Sequence, residues 1–372
     1  MSQTYSLVNP YNNEPIGEYE YTSWEQVEQK LALLKSGHQT QRDTAAFERA
    51  NVLLKLSELL KANSEELAQL ITRETGKTIS DSRVEMMRAV NATIACSEEA
   101  RQITGEALDS DAYAAMGKKI GIVCWRPLGT IFCITPFNFP INIAIHKIGP
   151  AYAAGNSVLF KPGPQNTATA QRLVELCYEA GMPENVLQFC MPEMKELDRL
   201  NGHSDVNAIN FTGGTAAANA IAAAAGYKKL LLELGGNDPL IVMDDADLEG
   251  AVKAAINQRF ATAGQRCTAA KRLFVHETVY DAFRDLLVEK SSELVVGDPA
   301  KDETFIGPLI HQGAADQVRG FIEDAIERGA TVAMGNKYEG AFVYPTILEN
   351  VDPECELMVE EAFGPVMPLF KF

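Results

Sequence analysis

Positive charge is what this chain of 372 residues has least of: 33 Lys and Arg stand against 50 Asp and Glu, a formal net charge of −17. Such a surface repels nucleic-acid backbones and anionic membranes, so neither is expected as a partner, although a local basic pocket for a small anion is compatible with it. Paired cysteines are missing as well. The seven present are scattered, odd in number and never at C-x-x-C spacing, which points to reduced thiols in the cytoplasm and not to a disulfide scaffold. No apolar run is long enough to span a bilayer. The most lipid-like stretch, residues 129–160, is broken by Asn138, Asn142, His146, Lys147 and three prolines. The N-terminal MSQTYSLVNP lacks the basic-then-apolar order of a signal peptide, so none is expected. There is no Walker motif, no GxGxxG after a strand and no H-E-x-x-H among five widely spaced histidines, so no metal site is expected.

What is present reads as an ordinary globular enzyme-sized chain. Apolar residues make up 46% and charged residues 22%, and at about 150 residues per domain the length suits two or three domains. Residues 1–22 predict short peripheral strands, and 24–102 predict helices. In FERANVLLKLSELLKA, Phe47, Ala50, Leu53, Leu54 and Leu60 fall on or beside one apolar stripe. Asn63 with Glu66 predicts a capping box for a helix ending near Gly76, and a further helix carries Val84, Met87, Val90 and Ile94. These stripes read as packing, with no catalytic group among them. From Gly105 the pattern changes. Residues 112–127, with a Gly-Lys-Lys turn and GIVCW, predict an extended arm that buries its apolar groups only in an oligomer.

Beyond residue 128, apolar strands alternate with helices, the sequence form of βαβ units and a parallel sheet. The strand blocks GTIFCIT, NSVLFK, VLQFC, NAINFT and KKLLLE predict a doubly wound nucleotide-type domain over about 128–233. A second α/β series starts at PLIVMDD. Four polar groups sit at the ends of the first series' strands: Asn138, Lys161, Thr212 with Gly213 and Gly214, and Glu233. Carboxyl ends of parallel strands are where open α/β sheets bind ligands, and four such groups together are hard to explain as packing. Cys267, in ATAGQRCTAAKR, lies at a polar, glycine-bearing turn beside Arg266; a lone cysteine is usually a small buried hydrophobe, and the alternative at such a turn is a thiolate of lowered pKa. Cys124, Cys133 and Cys190 read as core.

The motifs TPFNFP, LFKPG, FTGG, LELGGNDP, GQRCTAAKR, VGDP, IGPLI and EEAFGPV, with RETGK and PAYAAGN, occur in the order and spacing of the aldehyde dehydrogenase superfamily. The chain resembles that family over essentially its whole length, most nearly the branch acting on small semialdehydes, lactaldehyde or, without phosphorylation, glyceraldehyde-3-phosphate. The resemblance implies two open α/β domains: a Rossmann-like cofactor domain over 1–105 and 128–235, and a catalytic domain over 236–372 that is C-terminally incomplete. An oligomerisation arm over 106–127 would serve a homodimer or homotetramer. It also implies oxidation of a small, possibly anionic aldehyde with NAD or NADP and without a metal.

In that scheme Cys267 is the nucleophile that forms a thiohemiacetal and then a thioester. Asn138 supplies an oxyanion donor, typically worth ~3 kcal/mol. Glu233, partly desolvated, is the base for hydrolysis, and Lys147 supports proton transfer. Thr135, Pro136, Phe137, Lys161, Gly163, Pro164, Thr212, Gly213, Gly214, Leu234, Gly235, Glu361 and Phe363 match the cofactor-binding positions. Three departures stand out. Pro164 takes the place where strictly NAD-dependent members often carry a glutamate, so NADP is expected to be tolerated or preferred. Gly214 replaces a serine and Ala218 a glycine. The chain also ends about a hundred residues earlier than is usual, which leaves a truncated homologue without turnover, acting as a scaffold, as the alternative. CoA-acylating relatives fit less well, because they often lack the carboxylate at Glu233.

Overall fold

The computed structural model describes residues 3–109 and 119–372. The chain opens with an antiparallel hairpin of β1 (Thr4–Val8) and β2 (Pro15–Glu20), followed by the helices α1 (Trp24–Asp43), α2 (Ala46–Ala62), α3 (Ser64–Thr75) and α4 (Ile79–Ala100). Ser23 and Gln26 close a reciprocal capping box at the start of α1. The predicted box at Asn63 does not form. The Asn63 amide turns back to donate to the Leu59 carbonyl at 2.8 Å, finishing α2 instead of starting α3.

Two of the predicted stripes are rotated. In α2, Ala50, Leu53, Leu56 and Leu60 are buried, but Phe47 and Leu54 are exposed. In α4, Val84 and Met87 face outward while Ser82, Glu85, Met86, Ala89, Thr93 and Ser97 face inward. The inner face of α4 lies against α2, α3 and α5 (Asn142–Ala153), where small and polar side chains allow close approach.

Next come β3 (Glu106–Asp109) and β4 (Ile120–Val123), an antiparallel pair with Leu108, Ile120, Ile122 and the following Trp125 all exposed. The tip of the predicted arm, including Gly117 and Lys118 of its turn, lies outside the described residues. Cys124, expected in the core, is exposed here, whereas Cys133 and Cys190 are buried.

The first large sheet is wholly parallel, in the order β7-β6-β5-β8-β9. Its strands are β5 (Thr130–Ile134), β6 (Ser157–Lys161), β7 (Leu187–Phe189), β8 (Ala208–Thr212) and β9 (Lys229–Glu233). The helices α5, α6 (Thr167–Ala180), α7 (Leu197–Gly202) and α8 (Thr215–Ala225) connect them. The chain winds outward from β5 to β7 and returns to β8, so the strand order reverses between β5 and β8. In an open parallel sheet that switch point opens a crevice for ligands. β5 and β6 are buried along their whole length, while β9 is the edge and largely exposed.

The second sheet runs β10-β11-β16-β15-β12, with only β12 antiparallel to its neighbour. Its members are β10 (Asp238–Val242), β11 (Ala270–Val275), β12 (Thr331–Met334), β15 (Thr346–Glu349) and β16 (Val366–Lys371), with a small hairpin of β13 (Tyr338–Glu339) and β14 (Phe342–Val343) beside it. The helices α9 (Leu248–Phe260), α10 (Tyr280–Ser292), α11 (Gln312–Glu327) and the short α12 (Glu356–Val359) accompany it, and this sheet has an apolar core of its own. The fold is therefore the pair of α/β units that the alternating pattern predicts.

Candidate active site

The segment leading to Cys267 leaves α9 in a strained conformation. Thr262, Ala263 and Gly264 have φ of 56°, 51° and 72°. The left-handed region costs a non-glycine residue roughly 1–2 kcal/mol, so something must hold the turn. Asp81 does so from α4: its carboxylate accepts from the Thr262 N–H at 2.7 Å and from the Thr262 hydroxyl at 3.2 Å. Gln265 accepts from the Ile310 N–H at 3.0 Å. Gly264 is required twice over, because besides its φ an added Cβ would meet the Gly364 carbonyl oxygen at 2.4 Å. Cys267 emerges from this turn half-buried.

Facing it is the loop after β5. Asn138 is buried, and its Nδ2 donates to the Gln265 carbonyl at 2.8 Å, which ties the loop to the cysteine turn. Its Oδ1 is buried without a partner. Such an orphaned atom loses hydration without replacing it, and this amide lies on the wall of a cavity.

That cavity holds about 250 Å³, small beside the ~300–1,000 Å³ usual for ligand pockets. It joins residues from both sheets. Pro136, Phe137 and Asn138 follow β5, Thr212 ends β8 with Gly213 and Gly214 after it, and Leu234 and Gly235 follow β9; Cys267, Glu361 and Phe363 close it from the second unit. Phe137 and Phe363 meet edge to face at 6.2 Å. At Gly235 a Cβ would sit 2.0 Å from Glu361 Oε2, so a side chain there would force that carboxylate to move.

The remaining predicted residues lie beside the cavity. Thr135 donates its N–H to the Lys161 carbonyl at 3.1 Å, and Gly163 packs against Phe137 with Pro164 just beyond. Lys161 is buried, and its ammonium donates only to the Pro162 carbonyl, at 3.2 Å, among the described residues. Burial pushes its pKa down. Lys147 donates to Asn210 Oδ1 at 2.6 Å. Burial lowers its pKa to about 8, with Cys133 and Glu233 opposing the shift. Glu233 differs from expectation: it is exposed at the end of β9, not partly desolvated.

Several supporting residues carried no visible signal as isolated letters. Arg259, fully buried, donates to the carbonyls of Ala362 (2.9 Å) and Val366 and so braces the segment bearing Glu361 and Phe363. Lys271 joins the Cys267 carbonyl to Glu361 Oε1 (3.1 Å). The Gln of GQRC stood inside a quoted motif, whereas Asp81 and Glu85 at the start of α4 fell in none.

A basic rim also borders the cysteine. The Arg266 guanidinium is half-buried, donates to the Asn257 carbonyl at 3.3 Å, and leaves its Nε without a partner. Burial pushes its pKa below the usual range, Asp81 opposes this and Arg88 adds to it. Arg88 lies 5.9 Å from the Phe139 ring. It also depresses the His146 pKa, after burial and ahead of Lys147. Arg88 thus sits within electrostatic reach of both Arg266 and His146, and Arg266 within reach of Cys267.

Among the described residues, no group of three or more His, Cys, Asp or Glu is placed to hold a metal ion. Nor, among the described residues, is any helix long and apolar enough to cross a membrane. The model of the aldehyde dehydrogenase family matches residues 1–372. A sulfoacetaldehyde dehydrogenase from Neptuniibacter caesariensis is 78% identical over 372 residues, covering 100% of this chain and 82% of that protein. A 3-sulfolactaldehyde dehydrogenase from Priestia aryabhattai is 37% identical over 367 residues, 98% of this chain and 76% of that one. Among solved structures, the NADP-dependent glyceraldehyde-3-phosphate dehydrogenase from Bacillus halodurans C-125, complexed with NADP, superposes with a TM-score of 0.96 at 34% identity. It covers 100% of this chain and 78% of that one.

Proposed function

Because the chain belongs to the aldehyde dehydrogenase family, and so oxidises an aldehyde with NAD(P), we propose that its substrate is a small aldehyde carrying a strong-acid group such as a sulfonate. Cys267 is the nucleophile in this reading. The observation that carries the substrate class is the positive charge beside the cysteine, Arg266 with Arg88 within electrostatic reach of it. An anionic tail there would receive charge-assisted hydrogen bonds. The chain's likeness to a sulfoacetaldehyde dehydrogenase points the same way.

The residues present fit a dinucleotide. Thr135 Oγ1 is buried without a partner, the buried Lys161 ammonium has donors to spare, and Gly235 keeps open a cradle beside Glu361. Lys161 and Glu361 would hold its two riboses, and Thr212 to Gly214, before the N-terminus of α8, its pyrophosphate. When bound, NAD(P) accepts the hydride released from the carbon attached to Cys267. The protein supplies the rest. The thiolate of Cys267 adds to the aldehyde carbonyl, and Asn138 Nδ2, already oriented by its bond to the Gln265 carbonyl, donates to the oxygen that gains charge. After oxidation to the thioester, Glu233 takes a proton from water, whose oxygen attacks the acyl carbon. The acid leaves and the Cys267 thiolate is restored. Lys147, beside Glu233 with a pKa lowered to about 8, is suited to accept and pass on protons there.

The exposed β3–β4 pair fits an oligomer contact, since an apolar edge left open invites another chain, and seven free thiols suit a reducing, cytoplasmic setting. The test is a substrate panel of sulfoacetaldehyde, succinate semialdehyde, glyceraldehyde-3-phosphate and uncharged propionaldehyde, each with NAD and NADP. Sulfoacetaldehyde should give the highest kcat/KM, and Arg88→Met should lower it at least about tenfold while sparing propionaldehyde. With Pro164 leaving the 2′ position unopposed, NADP should work within about tenfold of NAD. A preference for propionaldehyde that Arg88→Met does not change would overturn the anionic reading.

A further inference from the structure

We propose that the start of α4 positions both reacting arms of the site: Lys77 and Glu85 set the loop that carries Asn138, and Asp81 sets the turn that carries Cys267. The three side chains are spaced by four residues. Thr78, the N-cap, fixes where the helix begins by accepting from the Asp81 N–H. That spacing puts Asp81 and Glu85 on one helical face, with Lys77 just before the cap, and each of the three reaches a different piece of the site.

Lys77 and Glu85 form an ion pair of 2.6 Å with side chains 2% and 0% exposed. Burying two charges costs several kcal/mol per ion and is often no net gain in stability, so a purely stabilising role explains the pair poorly. Its remaining contacts point elsewhere. The Lys77 ammonium also donates to the Asn138 carbonyl at 3.1 Å and lies 3.6 Å from the centre of the Phe139 ring. The second oxygen of Glu85 accepts from the N–H groups of Ile141 and Asn142, at 2.9 and 3.0 Å. Those are orphan donors at the start of α5, which has no side-chain cap of its own. The pair therefore grips the loop from residue 138 to residue 142 at both ends. Asp81, one turn from each, holds the left-handed turn at Thr262. With the Asn138–Gln265 bond between them, the two arms share one support.

The chemistry requires this. An amide that donates to a developing oxyanion must be placed within a fraction of an ångström, and a misplacement of about 1 Å can lower a rate on the order of a hundredfold. Lys77, Asp81 and Glu85 touch no substrate in this scheme. They are positioning residues, acting through Asn138 and through the cysteine turn.

The inference rests on the roles proposed for Asn138 and Cys267, and the experiment separates the two. In the full-length protein, Lys77→Met, Glu85→Gln, Asp81→Asn and Asn138→Ala are compared by the rate of the first-turnover burst of reduced cofactor, by KM, and by thermal melting. Alkylation of Cys267 by iodoacetamide, followed by peptide mass, needs neither cofactor nor turnover. Each α4 variant should slow the burst on the order of tenfold or more, with KM within about threefold. Lys77→Met should add little on top of Asn138→Ala, because it acts through that residue. Asp81→Asn should slow alkylation, and Lys77→Met should not. If Lys77→Met does not fold, the near-isosteric Glu85→Gln and Asp81→Asn carry the same test. A wild-type burst in folded variants, or losses from Lys77→Met and Asn138→Ala that multiply in full, would overturn the proposal. Should Asn138→Ala itself leave the burst intact, the assignment of the site falls and this inference with it.

Discussion

The two flanks of the proposed site are built differently. On the Asn138 flank every element is fixed from several sides: a buried loop held by Lys77 and Glu85, an amide tied to Gln265, and a strained turn held by Asp81. On the Glu233 flank the carboxylate ends an edge strand whose Leu231 and Leu232 are also exposed. The difference matches the two halves of the proposed chemistry. Attack and oxyanion stabilisation need preorganised dipoles shielded from solvent, whereas hydrolysis needs water and a base that can reach it.

Mutations should separate those flanks, and the largest effects belong to the rigid one. Cys267→Ala should abolish both the burst and steady turnover, with no other thiol in this setting; retained turnover in a stopped-flow trace at 340 nm would refute the nucleophile assignment. Asn138→Ala should keep the thiol and the cofactor site yet lower the burst rate roughly 10²–10³-fold, measured by the same trace. On the open flank, Glu233→Gln should leave the burst and stall afterwards, and an added thiol such as CoA should restore part of the turnover, since it needs less activation than water. Loss of the burst in that variant would mean that both flanks serve the first step.

The smallest effect concerns Lys147. Its folded pKa of about 8 lies below the ordinary lysine value of 10.5. Between those values the unfolded chain keeps a proton that the folded chain has released, so stability from this group rises with pH across the window. Below about pH 8 both states are protonated and the full penalty of the buried charge applies. Lys147→Met should therefore flatten the rise. Urea melts at pH 7.5 and 9.5 would show it as a wild-type gain larger than that of the variant.

Much of this was legible because strands and helices change period. The switch from 3.6 to short apolar blocks marks β5, β6, β8 and β9, and the polar residues at or just beyond their ends mark the crevice. The inner face of α4 was not legible for a physical reason. Its buried side carries Ser82, Glu85, Thr93 and Ser97 and its exposed side Val84 and Met87, so hydrophobic periodicity selects the wrong face. Nothing in Thr262 or Ala263 announces a positive φ, since neither residue favours it and only tertiary contacts impose it. The exposure of Glu233 depends on what lies against an edge strand, which the letters of that strand do not encode.

For redesign, the doubly constrained Gly264 draws a boundary. Because its backbone angle and the space beside Gly364 each forbid a side chain, relieving one restriction leaves the other in force, and no single compensating substitution opens the position. Altering the aldehyde range should therefore begin at the rim, with Arg88 and His146, whose side chains are exposed. The turn from residue 262 to residue 264 is best treated as a fixed part, carried unchanged from one variant to the next.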